Sequence, residues 1–162
     1  MQTISHGLWS YVIAHRSRHA WAFVLGAVFP DLVYALAFVY LLLRQGLRPH
    51  TTLASTQLSF PYWGGAVLHS VAIWLAALVT ARLLSSRPWI TWFAGGWGLH
   101  LVVDLLTHRE MASPYFFPFY NRPIKGIVSF NDPAFIYWDR ALLALAGLIL
   151  VTGWLVRRAG RH

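Results

Sequence analysis

Long apolar runs are the feature that most limits what this chain can fold into. Four of them reach or approach about 20 residues, the length an α-helix needs to cross the hydrocarbon core of a bilayer. They cover residues 20–43, 62–81, 88–106 and 141–156, with 135–138 extending the last. Only 11% of the residues are charged, against about a quarter in ordinary soluble domains. The sequence predicts an all-α, polytopic membrane bundle of about four transmembrane helices, in one domain over residues 1–162.

Two shorter segments modify this bundle. Residues 4–14 are apolar but too short to span a bilayer alone, and they predict a short N-terminal amphipathic or re-entrant helix. Residues 107–133 contain four prolines around an aromatic run at 115–120. A loop of this length without secondary structure is usually functional or disordered, and its aromatic content argues against disorder. We expect it to lie at the membrane surface as a cap.

The basic residues indicate a membrane partner. The net charge is +8, but the arginines lie mostly at the ends of the apolar runs, where they anchor helices to lipid headgroups. Nucleic-acid binding would need a basic stripe on a soluble face, and the sequence has none. We predict an integral protein of a prokaryotic cytoplasmic (inner) membrane, with membrane lipids as partners and no nucleic acid. A homo-oligomer is compatible with the sequence.

The orientation of the bundle rests on one basic cluster. Arg157, Arg158 and Arg161 directly follow the last apolar run. Basic residues next to a span favour the cytoplasmic side. We therefore expect a cytoplasmic C-terminus.

Ionisable residues inside the apolar runs give the first indication of a site. Asp31 follows Pro30 within the first run, and Asp104 lies within the third. An ionisable group at membrane depth costs roughly 2.5–3.5 kcal/mol on insertion scales, so it requires a partner or a cavity. His100, Asp104 and His108 are spaced i, i+4, i+8 and share one helix face. This pattern suits either metal ligands on adjacent turns or a hydrogen-bonded His–Asp pair that holds helices together.

Further candidates come from the other runs. If the spans alternate in direction, His69 in the second run and Asp139 at the start of the fourth lie at the same end as His100 and Asp104. Four helices then offer nitrogen or oxygen ligands to one region. The chain has no cysteine, and a histidine and carboxylate set without sulfur suits zinc, manganese or iron. This convergence favours a metal site over structural pairing.

The order of these residues resembles a known family. The matching segments are His6, 26–31 (GAVFPD), 68–70 (LHS), 99–107 (LHLVVDLLT) and 117–119 (FPF). In this order they resemble the LexA-binding, inner-membrane-associated metal-dependent hydrolases over nearly the whole chain. Val33 and Leu68 depart from that pattern, where the family often has an acid and a threonine. The order is also similar, more loosely, to the zinc-dependent bacterial phospholipases C, all-helical enzymes with a clustered metal site.

Together these features predict a membrane-embedded, metal-dependent hydrolase acting on a phosphoester of a lipid-like substrate. The cofactor is expected to be a divalent metal, zinc before manganese or iron. Asp31, His69, His100 and Asp104 are the expected ligands, and His6 with Asp139 are candidates for a second ion or for orienting water. The candidate catalytic residues are Asp31, Asp104 and Asp139.

Two other classes of function are compatible with the pattern. A haem-binding, cytochrome b-like bundle would use His69 and His100 as axial ligands. In that case Asp104, one turn from His100, would have no clear role. A noncatalytic membrane scaffold would use the polar cluster only to fix helix packing.

Overall fold

A computed structural model of the protein describes residues 2–46 and 59–160. These residues form helices, with three isolated β-bridges among them and no strand, which confirms the all-α prediction for the described part of the chain. A 3-10 turn, Phe29–Asp31, joins the second helix to the third. The α-helices are α1 (Thr3–Ala14), α2 (Ala20–Val28), α3 (Leu32–Gln45), α4 (Ser59–Leu68), α5 (Val71–Leu84), α6 (Pro88–Thr107) and α7 (Pro133–Ala159).

The helices coincide with the apolar runs of the sequence. Three segments are long and apolar enough to cross a membrane, namely Ala20–Arg44, Pro88–Thr107 and Pro133–Ala159. A fourth candidate span is broken into two helices, Tyr62–Leu68 and Val71–Leu84, and the chain bends by 57° between them. The break leaves a short non-helical link between α4 and α5. This link contains one of the predicted site residues, His69.

Helices α2 and α6 cross with their backbones in direct contact. A β-carbon added to Gly26 would lie 1.9 Å from the carbonyl oxygen of Phe93, and one added to Gly96 would lie 1.9 Å from that of Phe23. The two backbones therefore touch directly, which only glycine allows at these positions. This contact brings the end of α2 against the middle of α6, where His100 lies.

The short helix α1 lies between α2 and α7. Its two hydrogen bonds to α7 both end on Asp139, which accepts from Ser5 Oγ at 2.7 Å and from Trp9 Nε1 at 2.8 Å. None of the residues of α7 is buried, and most of its large apolar side chains are exposed. In a bilayer this arrangement would place them against lipid.

The loop with the aromatic run at 115–120, called the aromatic loop below, packs over the break between α4 and α5. Ser70 caps α5 by accepting a hydrogen bond from Ile73 N at 3.2 Å, and its hydroxyl donates to the carbonyl of Phe117. Val71 N donates to the carbonyl oxygen of Tyr115 at 2.8 Å. The loop is therefore attached to the polypeptide on the C-terminal side of His69.

The α2–α6 contact generates a stability prediction. Gly96→Ala should lower the free energy of unfolding by about 3 kcal/mol, because its methyl group would overlap backbone atoms rather than a movable side chain. Thermal unfolding of the purified protein in detergent measures the change. Gly147→Ala is the matched control, since nothing lies within 4 Å of a β-carbon there. It should stabilise α7 by at most about 1 kcal/mol. Equal stability of the two variants would contradict the close crossing.

Candidate metal centre

Four of the predicted side chains meet at one point in the bundle. Asp31 comes from the 3-10 turn, His69 from the α4–α5 break, and His100 and Asp104 from adjacent turns of α6. One donor atom from each of the four lies within 4.8 Å of all the others. His69, His100 and Asp104 are fully buried, whereas the side chain of Asp31 is 13% exposed. Asp31 therefore lies on the accessible side of the cluster.

Backbone carbonyls fix the orientation of both imidazoles. His69 Nδ1 donates to the carbonyl oxygen of Gly65 at 2.9 Å, and His100 Nδ1 donates to that of Ala27 at 2.7 Å. A carbonyl partner on Nδ1 places the proton there and leaves the lone pair of the neutral ring on Nε2. Metal-binding histidines are commonly held by such a bond on the other ring nitrogen. Both Nε2 atoms point into the cluster.

The distances within the cluster are those of ligands around a small cation. The two Nε2 atoms of His69 and His100 are 3.2 Å apart. Asp104 Oδ2 lies 3.1 Å from His100 Nε2 and 3.5 Å from His69 Nε2, and Asp31 Oδ1 lies 3.7 Å from each. In a tetrahedral site with bonds of about 2.0–2.1 Å, neighbouring ligand atoms are about 3.3 Å apart.

The chemistry of this donor set also requires a positive charge. Lone pairs and carboxylate oxygens at such separations repel one another, because no hydrogen lies between them when both histidines are neutral. A divalent cation would satisfy all four donors together. Two nitrogens and two oxygens form a set that zinc accepts. The residues present therefore fit the metal that the sequence predicts.

Two further histidines hold the second oxygen of Asp104. His6 Nε2 is 2.8 Å and His108 Nδ1 is 3.1 Å from Asp104 Oδ1. The His6 ring also stacks on that of His100, with centroids 4.0 Å apart and planes 25° apart. Burial lowers the pKa of His6 below its usual value, so at neutral pH the ring is neutral and donates from Nε2. His6 therefore orients two ligands at once.

The remaining predicted residue, Asp139, lies apart from this cluster. Its two oxygens accept from Ser5 and Trp9, and it is not one of the four residues whose donor atoms converge. The structure thus brings together Asp31, His69, His100 and Asp104, with His6 beside them, and places Asp139 at the α1–α7 contact. Neither His6 nor Asp139 is one of the four residues whose donor atoms converge.

Sequence reasoning missed one residue that contacts the centre. Thr3 Oγ1 donates to Asp31 Oδ2 at 2.6 Å. This bond leaves Oδ1 as the oxygen nearest to the two histidines. A threonine 28 positions away from the aspartate has no periodicity or motif to link them, so only the packing of α1 reveals the contact.

Comparison with known proteins agrees with this geometry. A family model described as zinc dependent phospholipase C matches residues 3–139, which include all four converging residues. The chain belongs to this family, and the looser of the two resemblances seen in its sequence is the one the match supports. Comparison with curated proteins and with solved structures finds no match. The family and the donor set together indicate a divalent metal, zinc, as the cofactor.

The haem alternative does not fit the cluster. Axial ligands bind iron from opposite faces of the porphyrin. The Nε2 atoms of His69 and His100 are only 3.2 Å apart, and Asp104 Oδ2 lies 3.1 Å from one of them. No macrocycle can pass between side chains placed in this way.

Metal content tests the centre directly. His100→Ala and Asp104→Ala should each abolish stoichiometric zinc, because each removes one of the four converging donors. Element analysis of protein purified without chelators measures the loss, and circular dichroism verifies that the helices persist. Wild type is expected to retain at least one divalent ion per chain.

The controls are an imidazole and a carboxylate outside the cluster. His15→Ala should keep its metal, since His15 bonds the carbonyl of Val12 at the end of α1. Asp139→Asn should also keep its metal, because Asp139 binds Ser5 and Trp9. A metal-free wild-type protein would favour the noncatalytic scaffold. Zinc lost from Asp139→Asn alone would place the ion elsewhere.

Proposed function

We propose that this protein is a membrane-embedded, zinc-dependent hydrolase that cleaves a phosphoester of a lipid-like substrate. The observation that carries the proposal is the convergence of four donors, all within 4.8 Å of one another, in a chain of the phospholipase C family. When bound, the ion supplies Lewis acidity that activates water and polarises a phosphoryl group. In the net reaction water adds across the ester: hydroxide goes to phosphorus and a proton to the released alcohol.

The two buried carboxylates at the centre have different roles in this proposal. Asp104 Oδ1 faces His6 and His108, and Oδ2 faces the Nε2 atoms of His69 and His100. With an ion held between Oδ2 and these two Nε2 atoms, neither oxygen of Asp104 is open to take a proton. We assign it the role of ligand, together with His69 and His100.

Asp31 is the better candidate for general base. It is the most exposed of the four donors, so water and substrate approach from its side. Its Oδ2 accepts only from the Thr3 hydroxyl among the bonds described, which leaves a second lone pair for the proton of an attacking water. The role of Asp139, by contrast, is to hold α1 and its two site residues, Thr3 and His6, against the bundle.

The placement of the centre supports a substrate within a bilayer. Asp104 lies less than one turn before α6 ends at Thr107, so a membrane crossed by α6 would have its surface close to the cluster. The exposed apolar side chains of α7 would face lipid. Three basic residues of the following loop, Arg109, Arg122 and Lys125, are at the same end, where they would attract an anionic phosphoester.

Hydrolysis of phospholipids tests the activity. Zinc-loaded protein should release water-soluble phosphorylated headgroups from mixed micelles, and a chelator should abolish this until zinc is restored. Asp31→Asn should lower kcat by roughly 10²–10⁴, the usual contribution of a general base. Zinc occupancy is verified in the same samples, since asparagine keeps an oxygen for the ion but cannot take a proton.

Asp132→Asn is the matched control for this assay. Asp132 caps α7 by accepting from Ala134 N at 2.8 Å, away from the converging donors. Its substitution should leave turnover unchanged. Full activity of zinc-loaded Asp31→Asn would rule out the base role, and headgroup release that resists chelation would rule out the metal-dependent mechanism.

Cysteine labelling tests the membrane topology. The chain has no cysteine, so Asn121→Cys and Gly160→Cys each carry one thiol, on either side of α7. With a cytoplasmic C-terminus, an impermeant reagent outside intact cells should label Asn121→Cys, and Gly160→Cys only after permeabilisation. Labelling of Gly160→Cys alone from outside would show that the C-terminus is not cytoplasmic. Equal labelling of both from outside would show that α7 does not cross the membrane.

A further inference from the structure

The Tyr115 side chain has a polar group that its surroundings do not satisfy. The residue is 1% exposed, and its hydroxyl is the single buried side-chain polar atom without a hydrogen-bond partner among the described residues. Leaving a buried hydroxyl unpaired costs roughly 1–3 kcal/mol. Such a group in a folded protein calls for an explanation, and a catalytic role is one of the recognised ones.

The backbone of Tyr115 is held beside the metal centre. Its carbonyl oxygen accepts from Val71 N at 2.8 Å, two residues beyond His69. The Ser70 hydroxyl binds the carbonyl of Phe117 in the same loop. The aromatic loop and the His69 ligand are thus fixed to each other at the α4–α5 break, so Tyr115 cannot move independently of the centre.

The surroundings of the Tyr115 hydroxyl include the centre itself. Burial raises the pKa of Tyr115, and the negative charge of Asp104 raises it further. Tyr34, which also interacts with Tyr115, packs against His69 with ring centroids 5.9 Å apart. The hydroxyl is therefore protonated at neutral pH and lies within electrostatic range of a metal ligand, although it bonds to none of them.

We propose that the Tyr115 hydroxyl is a substrate-binding group that donates a hydrogen bond to a phosphoryl oxygen of the phosphoester held at the metal centre. This inference rests on the proposed function and adds a binding residue to it. A neutral phenol suits the role, because it donates to an anionic oxygen without adding a charge to a buried site. The Tyr115 hydroxyl, which has no partner in the folded protein, donates this hydrogen bond when the substrate enters.

Tyr115→Phe distinguishes a hydroxyl that binds substrate from one that serves only the folded structure. Phenylalanine keeps the ring and its packing and removes only the unsatisfied hydroxyl. The variant should therefore be as stable as wild type or more stable, because no bond in the folded protein is lost. Loss of ligand binding without loss of stability is the signature of a group reserved for substrate.

The experiment compares zinc-loaded wild type and Tyr115→Phe, as full chains in detergent, with inorganic phosphate as the probe. Titration calorimetry should show a Kd for phosphate roughly 10- to 100-fold higher in the variant, the effect of one hydrogen bond to a charged group. Zinc content and the midpoint of thermal unfolding should not fall. kcat/KM for lipid hydrolysis should decrease by a similar factor. Tyr120→Phe, in the same loop but 49% exposed, is the matched control and should behave as wild type.

Each outcome separates this inference from the proposed function. Unchanged phosphate affinity in Tyr115→Phe, or no phosphate binding by zinc-loaded wild type, overturns the binding role of Tyr115 even if lipid hydrolysis is found. Tyr115-dependent phosphate binding without hydrolysis of any phospholipid supports the binding role and overturns the proposed activity. A lower unfolding midpoint with unchanged phosphate affinity assigns Tyr115 to structure.

Discussion

The structure depends on keeping a polar cluster inside an apolar bundle. Asp104 is buried with four histidines around it, and an unpaired carboxylate in such a place would be unstable. Backbone carbonyls hold the rings of His69 and His100. The His6 ring stacks on His100, and the His108 ring packs against Phe130 of the loop. The helices cannot rearrange without leaving a buried polar atom unpaired, so satisfying this cluster fixes their relative positions.

The glycine crossing of α2 and α6 makes that arrangement possible. Because the backbones touch at Gly26 and Gly96, the carbonyl of Ala27 reaches His100 and the 3-10 turn brings Asp31 to the same depth. The broken span supplies the remaining ligand from its non-helical link. Here the irregular backbone at 69–70 is shielded by the aromatic loop, as polar backbone in an apolar environment requires.

The function that we propose follows from the asymmetry of the cluster. Three ligands are sealed by protein on all sides, whereas Asp31 is partly open and the Tyr115 hydroxyl is buried without a partner. A scaffold would gain stability by pairing that hydroxyl or replacing it with an apolar atom. The buried residues His69, His100 and Asp104 are suited to holding an ion. Asp31 and the Tyr115 hydroxyl are suited to contact a molecule that enters and leaves.

The sequence alone determined the helices and the four residues whose donor atoms converge. Apolar runs of span length require helices because backbone groups in an apolar environment must bond within their own segment, and helical periodicity places His100 and Asp104 on one face. Alternating directions of the apolar runs also predicted that His69 lies at the same end as His100 and Asp104. Hydropathy gives the position of a residue along its helix but not the direction in which its side chain points, so the sequence could not show that Asp139 accepts hydrogen bonds from Ser5 and Trp9. The tertiary structure decided that direction: Asp139 faces α1, whereas Thr3 contacts Asp31 and the backbone of Tyr115 is bonded next to the α4–α5 break. Those contacts arise from helix crossing and loop docking between residues far apart in the chain, which no local pattern encodes.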